Sequence, residues 1–285
     1  SEPLRTVYIG GGTPSLLGRR QLEKIVIALN SRRHVTSSTE FTMEVNPGHV
    51  SRETAVMWRS FGVNRLSIGV QSFCDDELTR LGRDHCAGQA EEAVRNAFDG
   101  GFNRLSIDIL AAVKGQSWAV LKRSLGKAVS LPIDHLSLYL IEKPGMSETC
   151  DKKVSDLYFS ACSFLKQAGM RQYEISNFSR PGGQSRHNRL YWRNGSYYGF
   201  GAAASGFDGK CEYRNEASIS GYLSRAGSVG SAVVRRESPD PVTRRLVTGL
   251  RMRAGIPFSA FEKVHDIALR LLSDGLLECR MNRIR

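Results

Sequence analysis

The stretch that decides the fold is "YIGGGTPSLL", residues 8–17, in which a short apolar run stops at three consecutive glycines. The preceding "TVYIG" (6–10) has the β-branched and aromatic content of a strand. The run lacks the Lys and Ser/Thr of a P-loop, and Pro14 and Ser15 break the spacing of a dinucleotide-binding motif. The bare main chain is compatible with a bound phosphate, a cofactor that touches main-chain atoms, or a tight turn without a ligand.

Five more strand-like runs follow, each separated from the next by an amphipathic helical pattern. They are "EFTMEV" (40–45), "RLSIGV" (65–70), "RLSIDIL" (104–110), "HLSLYLI" (135–141) and "QYEIS" (172–176). Between them, apolar residues recur three and four positions apart, which is the period of helices that pack on a sheet. This β-α repetition predicts a parallel sheet, either an open doubly wound sheet or a barrel.

Polar residues stand at or near the ends of several predicted strands. In parallel α/β folds, ligands bind at the carboxyl ends of the strands, and polar groups are costly to bury there without partners. As a set these residues indicate a binding site, although any one of them would also serve to cap a neighbouring helix. The candidates at this edge are Gly11, Gly12, Thr13, Glu44, Gln71 and Asp108, with Arg83 just beyond a strand end.

The formal net charge of the 285 residues is +12, which attracts anions such as nucleic acid, anionic lipid or phosphate. A solvated, arginine-rich surface explains the same charge. No polybasic block concentrates it, which argues against a dedicated nucleic-acid-binding arm. The sequence has no long apolar run and no signal-peptide pattern, so we expect no integral membrane segment and a cytoplasmic location. Membrane contact through partner proteins or basic charge stays open.

Longer motifs resemble a known family. They are "YIGGGTPSLL" (8–17), "EVNPG" (44–48), "GVNRLSIGVQSF" (62–73), "DHLSLYLIEKPG" (134–145) and "YEISNFSRPGGQSRHNRLYW" (173–192). In order and spacing they resemble the radical S-adenosylmethionine (SAM) proteins related to oxygen-independent coproporphyrinogen III oxidase, and within that group the HemW-type heme chaperones. The resemblance runs from about residue 6 to about residue 278, and it implies an incomplete radical-SAM-type (β/α) barrel with a small C-terminal helical, winged-helix-like domain.

The resemblance also implies a domain division and a SAM site. Residues 1–180 would form the barrel, 181–235 the region that closes it, and 236–285 a truncated winged-helix-like segment. Gly11, Gly12 and Thr13 match the motif that holds the methionine part of SAM. The other SAM-contacting positions of the family are matched by Glu44, Gln71, Arg83 and Asp108.

One family feature is missing from this sequence. Family members carry C-x-x-x-C-x-x-C, whose thiolates hold three irons of a [4Fe–4S] cluster while SAM binds the fourth. The six cysteines here are scattered without that spacing, which indicates reduced thiols and no cluster ligands. The chain is then either a fragment or a degenerate relative, and either way we expect weak SAM binding and no catalysis by the polypeptide as given.

The segment "SRHNRLYWRNG" (185–195) contains the H-N-x-x-Y-W string of the heme-chaperone branch. The resemblance implies that His187 binds heme, and an imidazole is a good axial ligand for heme iron. Arg186, Arg189 and Arg193 are candidate partners of the heme propionates. The alternative is a hydrogen-bonded histidine in a loop that closes the barrel.

The function implied by the resemblance is binding of heme and its delivery to heme-requiring respiratory proteins. An enzymatic alternative is the oxidation of coproporphyrinogen III in porphyrin biosynthesis, which needs the intact cluster. A further alternative is a basic nucleic-acid-binding or protein-binding remnant, because a winged helix can bind DNA. The H-N-x-x-Y-W string and the missing cluster motif argue against the enzymatic alternative. Against DNA binding, the resemblance implies that the C-terminal segment is the family's own C-terminal domain, cut short.

The missing motif gives a direct test. Because no cysteine set has the required spacing, anaerobic reconstitution with iron and sulfide is expected to leave the protein without a stoichiometric cluster and without its broad visible absorption. Stoichiometric iron and sulfide in the reconstituted protein would contradict this expectation.

Overall fold

The computed structural model describes residues 3–32, 34–141, 144–227, 232–275, 277–280 and 283–285. They form two compact units, Ser1–His187 and Asn188–Arg285. The division into residues 1–180, 181–235 and 236–285 stays a prediction.

A seven-stranded sheet organises the described part of the first unit. Its strands are β1 (Thr6–Ile9), β2 (Glu40–Val45), β3 (Arg65–Gln71), β4 (Leu105–Ala111), β5 (His135–Leu140), β6 (Arg171–Gln172) and β7 (Asn177–Ser179). The order is β1-β2-β3-β4-β5-β7-β6, and β1 to β5 are parallel. The predicted parallel α/β sheet is confirmed, and since β1 and β6 are its edges, it forms a partial barrel.

Except for the short α3 (Asp75–Arg80), the described helices of this unit lie where the amphipathic patterns predict them. They are α1 (Arg19–Arg32), α2 (Arg52–Ser60), α3 (Asp75–Arg80), α4 (Ala87–Asp99), α5 (Trp118–Ser130) and α6 (Asp151–Gln167). Their starts have a local cause: Ser51 Oγ, for example, accepts a hydrogen bond from the Thr54 N–H and so satisfies a donor that the first turn of α2 leaves unpaired. The short α3 was not predicted.

The sixth predicted strand is wrong. "QYEIS" (172–176) does not continue the parallel sheet, because the chain turns within it and β7 runs antiparallel to both β5 and β6. Glu174 is fully buried at the turn, and its Oε1 accepts hydrogen bonds from the Ser176 N–H (2.8 Å) and Asn177 Nδ2 (2.5 Å). This carboxylate stabilises a reversal where strand propensity alone predicts an extended run.

The first unit has an apolar sheet face packed on helices and a polar sheet face. Alternate side chains of a strand point to opposite faces, and register partners in adjacent strands share a face. The apolar face includes Phe41, Met43, Leu66, Ile107 and Leu136, all fully buried against residues of the helices such as Trp58 and Leu121. The polar face carries Thr6, Tyr8, Glu40, Glu44, Arg65, Ser67, Ser106, Asp108, His135 and Ser137.

The second unit contains two small antiparallel sheets. One consists of β8 (Ser205–Phe207), β9 (Glu212–Asn215) and β10 (Val233–Glu237), and the other of β11 (Ile256–Pro257), β12 (Cys279–Arg280) and β13 (Arg283–Ile284). The helices are α7 (Arg186–Trp192), which begins in the first unit, α8 (Ile219–Arg225), α9 (Pro241–Gly249) and α10 (His265–Ser273). Among the described residues, none of the helices combines the length and apolar character needed to cross a bilayer.

Candidate functional site

The glycine run forms an open cradle held by one carboxylate. Gly11 and Gly12 have φ angles of 78° and 60°, and a Cβ added at either would meet no atom within 4 Å. The Gly11 N–H donates to Glu44 Oε2 at 3.0 Å, and the Tyr8 hydroxyl donates to Glu44 Oε1 at 2.7 Å. The left-handed backbone therefore requires glycine, and the outer side of the loop has room for a ligand.

Gly10 must be glycine for a different reason, which is the lack of space for a side chain. A Cβ there would lie 2.6 Å from Tyr8 Cε1 and 2.9 Å from Glu44 Cδ, closer than non-bonded atoms approach. A side chain at this position would displace the tyrosine or the carboxylate. Gly10 thus permits the close approach of Tyr8 and Glu44, whereas Gly11 and Gly12 permit the shape of the loop.

Two acidic side chains make this corner of the polar face electronegative. Burial raises the pKa of Asp108 to about 6; a hydrogen bond with Ser137 opposes the rise, and the charge of Glu44 adds to it. Ser67 Oγ also donates to Asp108 Oδ1 at 3.2 Å. Burial, followed by the charges of Glu44 and Asp108, raises the pKa of Tyr8 far above its usual range. The corner therefore favours cationic groups and hydroxyl donors.

The remaining predicted SAM residues are Thr13, Gln71 and Arg83, and they differ in their relation to this corner. Thr13 is exposed and precedes a 3-10 turn. Gln71 ends β3 with a φ of 68°, and its side-chain Nε2 lies near Gly69. Arg83 is exposed, and no hydrogen bond or ion pair among the described residues joins it to Glu44 or Asp108. The structure thus brings Gly11, Glu44 and Asp108 together, places Thr13 and Gln71 at the same edge, and leaves the Arg83 side chain apart.

The loop that carries Arg83 is nevertheless anchored to this edge. Asn46, which follows β2, donates from Nδ2 to Asp84 Oδ1 at 3.2 Å. At the other end of the loop, buried Glu77 accepts hydrogen bonds from Ser72 Oγ (2.6 Å) and Gln116 Nε2 (3.3 Å). These bonds anchor the chain on both sides of Arg83.

His187 lies near the amino ends of β1 and β2. Its Nδ1 is 2.9 Å from Thr6 Oγ1, and its backbone N–H donates to Glu40 Oε1 at 2.9 Å. Its ring stacks on Tyr8 with centroids 4.9 Å apart. Because Tyr8 also contacts Glu44, one tyrosine joins the histidine to the glycine cradle. Tyr8 is a site residue that the sequence analysis missed.

A buried polar network continues along the amino ends of the strands. His135 is fully buried between Ser106 Oγ (2.7 Å from Nδ1) and the Tyr173 hydroxyl (2.9 Å from Nε2). Burial first, then the charges of Arg65 and Arg104, place the pKa of His135 well below its usual value, so the ring is neutral. The period-two alternation of polar residues within the predicted strands is the signal that would have revealed this face.

Metal ligands do not cluster in the described part of the chain. No group of three His, Cys, Asp or Glu side chains there is placed to hold a metal ion, and the six cysteines are free thiols. The residues present therefore do not fit a [4Fe–4S] cluster. The expectation that this polypeptide builds none stays a prediction.

The fold and the glycine cradle define a radical-SAM-type protein. The model of the radical SAM superfamily matches residues 1–127. The solved structure of coproporphyrinogen III oxidase (HemN) from Escherichia coli superposes with a TM-score of 0.82 at 20% identity, covering 99% of this chain and 74% of that one. At this identity the similarity concerns the fold.

Similar sequences identify the family within this class of proteins. The heme chaperone HemW of Lactococcus lactis is 34% identical over 276 residues, which is 92% of this chain and 72% of that protein. HemW of Bacillus subtilis is 32% identical, covering 96% of this chain and 75% of that protein. The chain belongs to the HemW heme chaperone family.

Replacing Asp108 with Asn is expected to stabilise the protein in a pH-dependent way. The folded-state pKa of about 6 exceeds the ordinary value of 3.8, so wild-type stability falls as pH rises between these values. The advantage of the variant should grow from pH 4 to above pH 6 and reach on the order of 3 kcal/mol. Urea unfolding across this range measures the difference, with Asp99→Asn at an exposed position as control. An advantage independent of pH would contradict the raised pKa of the Asp108 carboxyl.

Proposed function

We propose that this protein binds heme and delivers it to heme-requiring respiratory proteins. The observation that carries the proposal is the placement of His187 within the H-N-x-x-Y-W string of a chain that belongs to the HemW family. The two relatives described above are named heme chaperones, and this chain spans about three quarters of the length of each.

The surroundings of His187 suit an axial ligand. The contact of Nδ1 with Thr6 Oγ1 and the stacking on Tyr8 hold the ring in one orientation. Hydrogen bonding at one ring nitrogen commonly orients an imidazole that binds metal through the other. Burial lowers the pKa of His187 to about 4, partly opposed by the charge of Glu40. The imidazole is therefore neutral at physiological pH, the form that coordinates iron.

The element that carries His187 is anchored to the sheet through its backbone. The N–H groups of Arg186 and His187 both donate to the Glu40 carboxylate at 2.9 Å. Arg186 Nη1 also donates to the Ser38 carbonyl at 2.6 Å. Replacement of the His187 side chain leaves these bonds intact, so a histidine variant tests the imidazole without removing the anchor.

We also propose that the glycine cradle binds SAM. The open space beside Gly11 and Gly12 admits a ligand against the main chain, and Glu44 with Asp108 favours its cationic groups and hydroxyls. In cluster-containing family members SAM supplies a radical. The described residues do not fit the cluster, so the role supported here is binding, with these residues orienting the ligand.

Hemin titration followed by the Soret band tests the heme proposal. Wild-type protein is expected to bind one hemin saturably, with an affinity that hardly changes between pH 6 and 8 because His187 stays neutral. The variant His187→Ala should lose the spectrum of the coordinated heme and bind at least about tenfold more weakly, as expected for loss of a ligand bond.

The matched control is His34→Ala, which removes an exposed histidine from the same unit. It should bind hemin like the wild type. An unchanged affinity and Soret spectrum in His187→Ala would show that this histidine has a structural role and does not bind the heme iron.

Calorimetric titration with SAM tests the second proposal. Glu44→Gln should weaken SAM binding by about tenfold, since a hydrogen bond to a charged group contributes about 1.5–3 kcal/mol. Glu53→Gln, at an exposed position of α2, is the control. Equal SAM affinities in wild type and Glu44→Gln would remove Glu44 from the proposed site.

A further inference from the structure

A polar cavity opens at the amino ends of the strands, whereas the glycine cradle lies at their carboxyl ends. The volume of the cavity is about 220 Å³. Ser37 and Ser38, which precede β2, line one part, and Arg65, Arg104 and Arg186 supply three guanidinium groups. A single water molecule needs roughly 10–15 Å³ of such volume, so the cavity has room for a small anion.

Arg65 is the unusual member of this set. It is only 2% exposed, and its Nε is buried without a hydrogen-bond partner among the described residues. A buried charged group that lacks hydrogen bonds is costly, and native proteins rarely leave one in that state. Since Arg65 lines the cavity, an anion bound there would offset part of the cost of burying its charge.

The other two arginines retain donors after their protein contacts are counted. Arg104 pairs with Asp134 through Nε (2.5 Å) and donates from Nη2 to the Gln184 carbonyl (3.2 Å). Arg186 donates from Nη1 to the Ser38 carbonyl. A guanidinium has five N–H donors, so each has further N–H groups beyond these bonds.

The acidic side chains nearest the cavity already accept hydrogen bonds from the protein. Both oxygens of Glu40 accept backbone N–H groups of residues 186 and 187, and Arg104 Nη2 lies 3.9 Å from this carboxylate. Asp134 faces Arg104 and accepts the Leu105 N–H. Of the three guanidinium groups, Arg104 pairs with Asp134, and Arg65 also interacts with the charge of Asp108 on the polar face. Glu40 and Asp134 are already engaged by N–H donors of the protein.

We propose that this cavity is an oxyanion-binding site that takes a carboxylate or phosphate group. Planar guanidinium groups bind both anions through paired N–H donors. The Ser37 and Ser38 residues supply neutral polar groups at the rim. The site is separate from the glycine cradle, and it does not depend on the heme function, because a free phosphate or carboxylate and a heme propionate present the same chemistry to it.

Inorganic phosphate is the first probe. Raising phosphate against chloride at constant ionic strength should increase the thermal unfolding midpoint of the wild type saturably, by about 2–4 °C at tenfold excess over the dissociation constant. Arg65→Gln and Arg186→Gln should abolish the increase. Arg123→Gln removes the same charge from an exposed position of α5 and should preserve it. Arg186 is exposed, so its variant still decides the matter if Arg65→Gln fails to fold.

Hemin and hemin dimethyl ester distinguish the source of the oxyanion. If a propionate occupies the cavity, Arg186→Gln should weaken hemin binding about fivefold or more and leave the ester unchanged, a loss within the range for a charged hydrogen bond. If a free anion occupies it, phosphate stabilises the protein and the variant binds hemin and ester like the wild type. Should the wild type bind no hemin at all, the phosphate titration still decides on the cavity while the heme proposal fails.

Two results would overturn the oxyanion site. One is the absence of a saturable phosphate effect together with unchanged hemin binding in Arg186→Gln. The other is a phosphate effect of equal size in the wild type and in both cavity variants, which would place the bound anion elsewhere.

Discussion

The candidate site depends on the position of one aromatic side chain. Tyr8 donates its hydroxyl to Glu44 and stacks its ring on His187, so it contacts both the carboxylate that holds the glycine cradle and the histidine of the heme-chaperone string. Gly10 makes this possible, because any Cβ there would overlap the tyrosine and the carboxylate. The glycine run therefore has two structural consequences: it leaves open space on its outer side, and it lets β1 bring Tyr8 against Glu44.

The parallel pairing of β1 to β5 explains why so many polar groups meet on one face. Register partners align Thr6 with Glu40 and Asp108 with Ser137, and every second residue of each strand joins the same surface. Charge is distributed unevenly over it. Glu44 and Asp108 lie toward the carboxyl ends, whereas the guanidinium groups that line the cavity lie at the amino ends. One sheet face thus has a carboxylate pair toward the carboxyl ends of its strands and a guanidinium cluster at their amino ends, and the two ends would suit ligands of opposite charge.

Much of the scaffold could be predicted because local patterns determine it. The amphipathic period predicted α1, α2, α4, α5 and α6, and the β-α repetition predicted the parallel strands. The prediction failed at "QYEIS", since the turn there depends on a buried Glu174 carboxylate and not on strand propensity. It also missed the alternation of polar and apolar residues in "RLSIGV" and "HLSLYLI". The buried polar residues of the polar sheet face there are Arg65, Ser67, His135 and Ser137. Nothing local indicates that His187 contacts Thr6, 181 positions away.

The two buried histidines of this face show how the same side chain serves different ends. His135 has hydrogen-bond partners on both ring nitrogens, Ser106 and Tyr173, and no exposed surface, so its contacts account for a purely structural role. His187 is only partly buried, begins the H-N-x-x-Y-W string, and lies beside a tyrosine that extends to the glycine cradle. Burial keeps both imidazoles neutral, but neutrality suits iron coordination only where a ligand has access. Access, and not pKa, is therefore the property that separates a candidate heme ligand from a core histidine in this fold.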